Sequence, residues 1–164
     1  MTIRLDDTDL RILEVLQREA DLSNQALAAR VHLSPAPCLR RVRRLRERGV
    51  LAGTVALLDP AAVGLETEAY AFVTLETQRA GAGEQFERLL RKRPEIVECV
   101  RISGTHDYLL RVVVPSMRAY SEFLDQHLLR APSVRSVHTS FSLGVLKRTT
   151  ALPLGADARD RRFG

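Results

Sequence analysis

The chain has 164 residues, 45% hydrophobic and 27% charged, with a formal net charge of +5, an ordinary balance for a soluble protein of one domain or two small ones. The basic excess and a pI near 9.9 favour a polyanionic partner. No run reaches the roughly 20 apolar residues of a membrane span, and the start carries no signal-like apolar stretch, so a cytoplasmic chain without a membrane partner is expected. Up to Ala52 there are ten arginines against seven acids; the remainder carries fifteen Lys+Arg against thirteen acids. Cys38 and Cys99 stand far apart in apolar contexts, without a CxxC pair or a metal-ligand spacing, and read as buried reduced thiols.

Three helical patterns open the chain. Asp6 can cap the first, with Asp9 in its first turn and Leu10, Leu13, Leu16 and Ala20 at helical spacing. Ser23 caps a second, shorter one running to Val31, with Leu22 and Leu27 placed as a hydrophobic staple. His32-Leu33-Ser34 is a turn, and Ser34 is placed to cap a third helix that opens with Pro35 at its first position and closes at Gly49.

This third stretch, Pro35–Arg48, reads PAPCLRRVRRLRER: six arginines and one acid. Projected at the helical period, Cys38, Leu39, Val42 and Leu45 fall on one side. Arg40 and Arg44 lie nearly opposite, flanked by Ala36, Pro37, Arg41 and Arg43. Arg46 projects near the buried edge and calls for an acidic partner. Arginine is abundant throughout, 23 against 2 lysines, but abundance alone does not sort arginines onto one face. A short helix, a tight turn and a basic helix, with a further helix against their apolar side, is the layout of a helix-turn-helix.

Leu51–Leu58 is expected as a strand in a hinge segment, 51–65, with Asp59-Pro60 as a turn. Strands and helices then alternate. Thr67–Glu76 is a strand with Ala69, Ala71, Val73 and Leu75 on one face, and Gly81-Ala82-Gly83 breaks the chain. Glu84–Arg93 is a helix with Phe86, Leu89 and Leu90 inward, ended by Pro94. Ile96–Ser103 and Tyr108–Val114 are strands around the turn Gly104–Asp107. Ser116–Leu129 is a helix with Met117, Tyr120, Phe123, Leu124 and Leu128 inward, and Val134–Leu146 is the last strand. The order β-α-β-β-α-β is the ferredoxin-like split. A tail from Thr149, with Arg159, Arg161 and Arg162, is expected to fray or dock as an edge segment.

Little else points to chemistry. His32, His106, His127 and His138 share no ligand spacing, and no P-loop, GxGxxG or Ser/His/Asp arrangement is present. No metal, cofactor or catalytic residue is expected, and Tyr120 and Phe123 read as core. Taken on its residues, Gly104–Tyr108 is first a hairpin turn: glycine permits positive φ and Asp107 can cap the loop.

The run LSPAPCLRRVRRLRERGVL (Leu33–Leu51), the helix pair before it, and VRISGTHDYLLRVVVPSMRAY (Val100–Tyr120) resemble the Lrp/AsnC, or feast/famine, family of bacterial and archaeal transcription factors. The likeness runs in order from about Leu5 to Lys147. It implies an α+β protein: a winged-type helix-turn-helix domain over 1–50, the hinge, a ferredoxin-like sensor and oligomerisation domain over 66–148, and a tail over 149–164. The function implied is sequence-specific binding of double-stranded DNA, controlled by an amino acid or related metabolite. Homodimers would form sheet to sheet and assemble into larger rings such as octamers.

In the recognition helix Ser34, Pro35, Leu39, Arg41, Val42, Arg44 and Leu45 follow the family pattern. Arg40 and Arg46 depart from it, because acids are common at one or both places. The resemblance places Ser34, Pro35, Ala36, Pro37, Arg40, Arg41, Arg43 and Arg44 at the DNA. Its effector site is built on a Gly-x-x-Asp-Tyr turn, here Gly104, Thr105, His106, Asp107 and Tyr108, with Thr139 from a neighbouring subunit. Turn amides would take an effector's carboxylate and Asp107 its ammonium. Thr105 stands where many members carry a second acid, and Thr139 alone matches their Thr-x-Thr edge. Two other functions fit the same architecture: a DNA-compacting protein with weak sequence choice, and a sirohaem-decarboxylase-like enzyme.

Overall fold

The computed structural model describes residues 4–76 and 81–154. It divides into two compact units, one of the residues up to Ala56 together with those from Lys147 onward, the other of Leu57–Leu146.

The first unit is a three-helix core. Helix α1 spans Asp7–Leu16, α2 Asn24–Arg30 and α3 Pro35–Glu47. Asp6 and Asp9 form a full capping box at the start of α1, and Ser23 accepts from Ala26 N–H at the start of α2. Ser34 holds the N-cap position of α3 but makes no side-chain cap bond. The other capped helices bond the N3 amide; N3 here is Pro37, which has none, and the remaining Ala36 amide at N2 takes no bond from Ser34. The start of α3 is held instead by Asn24, whose side-chain amide donates to Pro35 O at 2.8 Å. His32 sits at φ +58° in the turn between α2 and α3, a left-handed conformation uncommon outside glycine.

Ile12, Leu13, Leu27, Ala28, Val31, Cys38, Val42 and Leu45 form the core of this unit. Leu39 is more exposed than expected, at 38%; it lies one residue past Cys38, about 100° round the helix. Ala20 lies beyond the end of α1 and is exposed. Leu152 exchanges hydrogen bonds with Gln17, and Leu154 packs on the same core, so the tail docks here up to residue 154. Arg159, Arg161 and Arg162 lie outside the described residues.

Leu51–Leu58 forms no strand. A strand needs a hydrogen-bonded neighbour, and the sheet of this chain uses four others. Val55, Leu57 and Leu58 are left more than 70% exposed, and a short 3-10 turn, Ala61–Val63, follows the Asp59-Pro60 corner.

The second unit is an antiparallel sheet with helices on one face. Strands β1 (Thr67–Leu75), β2 (Ile96–Arg101), β3 (Tyr108–Val114) and β4 (Val134–Phe141) lie in the order β2-β3-β1-β4, the ferredoxin-like arrangement. Alternation puts Ala69, Ala71, Val73 and Leu75 of β1, with Tyr108, Leu110, Val112 and Val114 of β3, on one face. There they meet Phe86 and Leu90 of α4 (Ala82–Leu90) and Tyr120 and Phe123 of α5 (Met117–Phe123). Helix α4 stops at Leu90, short of the expected Arg93. Helix α5 passes into a wider turn, Leu124–Leu128, and Met117 at its start is exposed rather than inward. β4 ends at Phe141, not Leu146, because Phe141 pairs with Ala69 near the start of β1 and the partner strand runs out. Leu143 and Leu146 beyond it are fully exposed.

Candidate functional site

The structure sorts the arginines of α3 into two groups. Arg41 and Arg44 turn toward α1. Arg41 Nη1 donates to Asp6 Oδ2 at 2.6 Å and to Asp9 Oδ1 at 2.9 Å, and Arg44 Nη2 donates to Asp9 Oδ2 at 2.6 Å. The Asp9 side chain is 1% exposed. A carboxylate so buried needs both oxygens paired, and Oδ2 also accepts the Asp6 N–H. Burial works to raise the Asp6 carboxyl, but the Arg41 bond and charge and the Asp9 and Thr8 amides outweigh it and hold it below its ordinary value. The bonds to Asp6 and Asp9 raise Arg41 in turn.

Arg40 and Arg43 project from the far side of α3, exposed, and neither is ion-paired among the described residues. Ser34, Pro35 and Ala36 are exposed beside them and Pro37 half-buried. Arg46 is exposed, and among the described residues it has no acidic partner of the kind its projected position called for. The sequence expectation missed Asp9, a charge at the centre of the packing. The signal was its i, i+3 spacing from Asp6, which also makes the capping box.

In the second unit the six candidate effector residues do not converge within one chain. Gly104 turns the chain at φ +117°, where a side chain would strain the backbone, and Gly104 and Thr105 are exposed. Asp107 is committed to the fold: its Oδ2 accepts Leu75 N–H at 2.8 Å and its own N–H donates to Val73 O at 2.9 Å. His106 pairs with Thr74 Oγ1 at 3.1 Å, and its ring lies 5.4 Å from Phe72 and 6.5 Å from His138. Phe72 and His138 belong to the sheet face opposite the helices, since their neighbours Ala71 and Thr139 face the core. Thr139 meets the Tyr120 hydroxyl at 2.6 Å. Burial raises Tyr120, and the Thr139 bond works against it. The six residues therefore occupy two faces of one sheet.

Tyr108 leads to a site that the sequence did not flag. It is buried, edge-on to Phe86 at 5.2 Å, and its hydroxyl donates to Glu87 Oε1 at 3.0 Å. A side chain at position 83 would come within 3.3 Å of that hydroxyl, so Gly83 leaves it room. Glu87, Leu90, Arg91, Ile96, Cys99, Arg101 and Tyr108 line a cavity of about 370 Å³ between α4 and β2. Cys99, expected to be buried, is exposed here because β2 is an edge strand. Burial pushes the Tyr108 hydroxyl up, the Glu87 bond and charge add to it, and Arg101 opposes. The Cys99 thiol is raised by burial and then by Glu87. With Glu98 also on its lining, the cavity gathers two carboxylates, a phenol, a thiol and two guanidinium groups around an apolar floor.

Residues 5–52 match the winged helix-turn-helix DNA-binding model, and residues 68–152 the Lrp/AsnC ligand-binding domain. The chain is 40% identical over 148 residues to the leucine-responsive regulatory protein of Escherichia coli, covering 90% of each chain. It is 34% identical to the transcriptional regulator AzlB of Bacillus subtilis, covering 94% of this chain and 98% of that one. A crystal structure of a Neisseria meningitidis transcriptional regulator with L-Met superposes at a TM-score of 0.89, with 40% identity over 91% of this chain and 96% of the other.

Proposed function

The chain belongs to the Lrp/AsnC family of DNA-binding transcriptional regulators, and on that premise we propose that its second unit senses a free amino acid and adjusts DNA binding accordingly. The observation that carries the reading is the mixed-charge cavity beside Tyr108. Arg101 and Tyr108, which flank the Gly104 turn in sequence, both line it. A zwitterion needs an anion, a cation and an apolar wall within one small volume. Glu87 supplies the carboxylate for an ammonium, Arg101 and Arg91 the guanidinium for a carboxylate, and Leu90 and Ile96 the wall. Asp107, whose carboxylate already holds β1, positions the turn. Gly104 and Thr105 form the turn that joins Arg101 to Tyr108, His106 braces it from the opposite sheet face through Thr74, and Thr139 acts through Tyr120 on the same face of the sheet as Tyr108.

At the DNA we assign Ser34, Pro35, Ala36, Pro37, Arg40 and Arg43 to the groove-facing surface of α3, with Arg41 and Arg44 beside them. Arginines on one exposed helix face suit phosphate contact and bidentate reading of guanine. The second copy meets the open sheet face, where register aligns Val100, Leu109, Phe72 and His138 across four strands. The protein works in the cytoplasm as a homo-oligomer and is not an enzyme. Among the described residues no helix is long and apolar enough to cross a membrane.

Calorimetric titration with a panel of free amino acids tests the effector site. At least one binds the wild type, and Glu87→Gln weakens it tenfold or more while DNA affinity without effector stays unchanged. Undiminished binding by Glu87→Gln removes the cavity from the reading.

A further inference from the structure

The basic face of α3 is less free than its composition suggests. Two of its five arginines, Arg41 and Arg44, stand one turn apart and are both held by Asp9, with Asp6 adding a second hold on Arg41. Asp9 is buried, both of its oxygens accept from a guanidinium, and it sits on α1, a different helix from the one that meets DNA. Arg40 and Arg43 have no such partner among the described residues.

These two groups differ in what a phosphate can draw from them. An exposed, unpaired arginine exchanges water and counterions for phosphate, and the released counterions give sequence-independent affinity. An arginine already bonded to a buried carboxylate would have to break a charge-assisted bond and leave that carboxylate uncompensated. The carboxylates also cancel much of its charge at the distance of the DNA backbone.

We propose that Asp6 and Asp9 are specificity-setting residues, which hold Arg41 and Arg44 off the phosphate backbone. The sequence-independent grip of α3 is left to the arginines that the clamp does not hold. A chain with so many arginines on one helix is at risk of binding any duplex. Two acids on the neighbouring helix lower that indiscriminate affinity without touching DNA. The same pair of bonds fixes the angle of α3 against α1, so one device serves both positioning and restraint. The inference rests on the DNA-binding role of α3.

The test is the salt dependence of binding to a random-sequence duplex, followed by fluorescence anisotropy, for the wild type, Asp6→Asn, Asp9→Asn and Glu14→Gln. Glu14→Gln makes the same charge change on an exposed part of α1 outside the clamp. Each released arginine that reaches a phosphate steepens the slope of log K against log salt by about 0.9. The expected result is a slope steeper by about 0.9 to 1.8 for Asp9→Asn, a smaller steepening for Asp6→Asn, and none for Glu14→Gln. Random-duplex affinity rises in the two clamp variants. Asp6 is exposed and asparagine is as good an N-cap, so Asp6→Asn decides the matter should Asp9→Asn fail to fold. An unchanged slope in folded clamp variants, or the same steepening in Glu14→Gln, overturns the proposal. A wild type that binds no duplex overturns instead the DNA-binding role on which the proposal rests.

Discussion

The two units build their functional surfaces in opposite ways. In the first, one helix presents the residues assigned to DNA under the proposed function, and its supports, Asp6, Asp9 and Asn24, come from the two helices packed beside it. In the second, residues drawn from one turn and one strand land on both faces of the sheet, and the enclosed volume is made by α4 and β2. The difference follows from the partners. DNA is a broad polyanion that a single convex helix can meet, whereas a small zwitterion must be surrounded, so its site needs walls from several elements.

The comparison is broken most forcefully by separating the units. Leu45 and Leu110 are each almost fully buried, one in each core. Leu45→Ala and Leu110→Ala should each cost about 2 to 5 kcal/mol, but with different losses. Leu45→Ala abolishes DNA binding and spares amino-acid binding, and Leu110→Ala does the reverse, as thermal melts alongside the two binding assays would show. Equal loss of both activities in either variant would mean that the units fold as one.

A smaller effect sharpens the first unit alone. Replacing Arg40 and Arg43 together by alanine removes two unpaired cations, so the salt slope of DNA binding becomes shallower by about 1.8. Amino-acid binding measured by calorimetry should not change. The smallest effect concerns acid stability. The Asp6 carboxyl lies below its ordinary value, so its contribution to stability is complete above about pH 4 and is lost as pH falls further. Asp6→Asn should flatten that part of the stability curve in chemical denaturation below pH 4 and lower neutral stability by the same small amount.

Periodicity and caps made the three N-terminal helices and the four-stranded order readable, because alternation and helical spacing report burial directly. Misreadings cluster where a partner element decides. Leu51–Leu58 has the composition of a strand but pairs with no other strand among the described residues. β4 is cut at Phe141 by the start of β1, and Cys99 is exposed because its strand is an edge. The Ser34 cap lost its N3 partner to Pro37.

The candidate sites divide in the same way. The arginine face of α3 was visible at helical spacing, yet the partners that separate Arg41 and Arg44 from Arg40 and Arg43 lie more than 30 positions away. Asp107 was read as an ammonium acceptor, but only the sheet shows that its carboxylate is bonded to Leu75. Glu87 carries no motif, since its bond to Tyr108 depends on how closely its helix approaches β3.

A regulator of this kind binds a chosen DNA sequence, and an amino acid changes the binding. That behaviour is tested most directly by fluorescence anisotropy on the duplex upstream of the protein's own gene, against a scrambled duplex, near physiological salt, with and without each free amino acid. The expected result is a preference of roughly 10³-fold or more for the upstream duplex, shifted by at least one amino acid. Equal binding to both duplexes, unmoved by any amino acid, would contradict it.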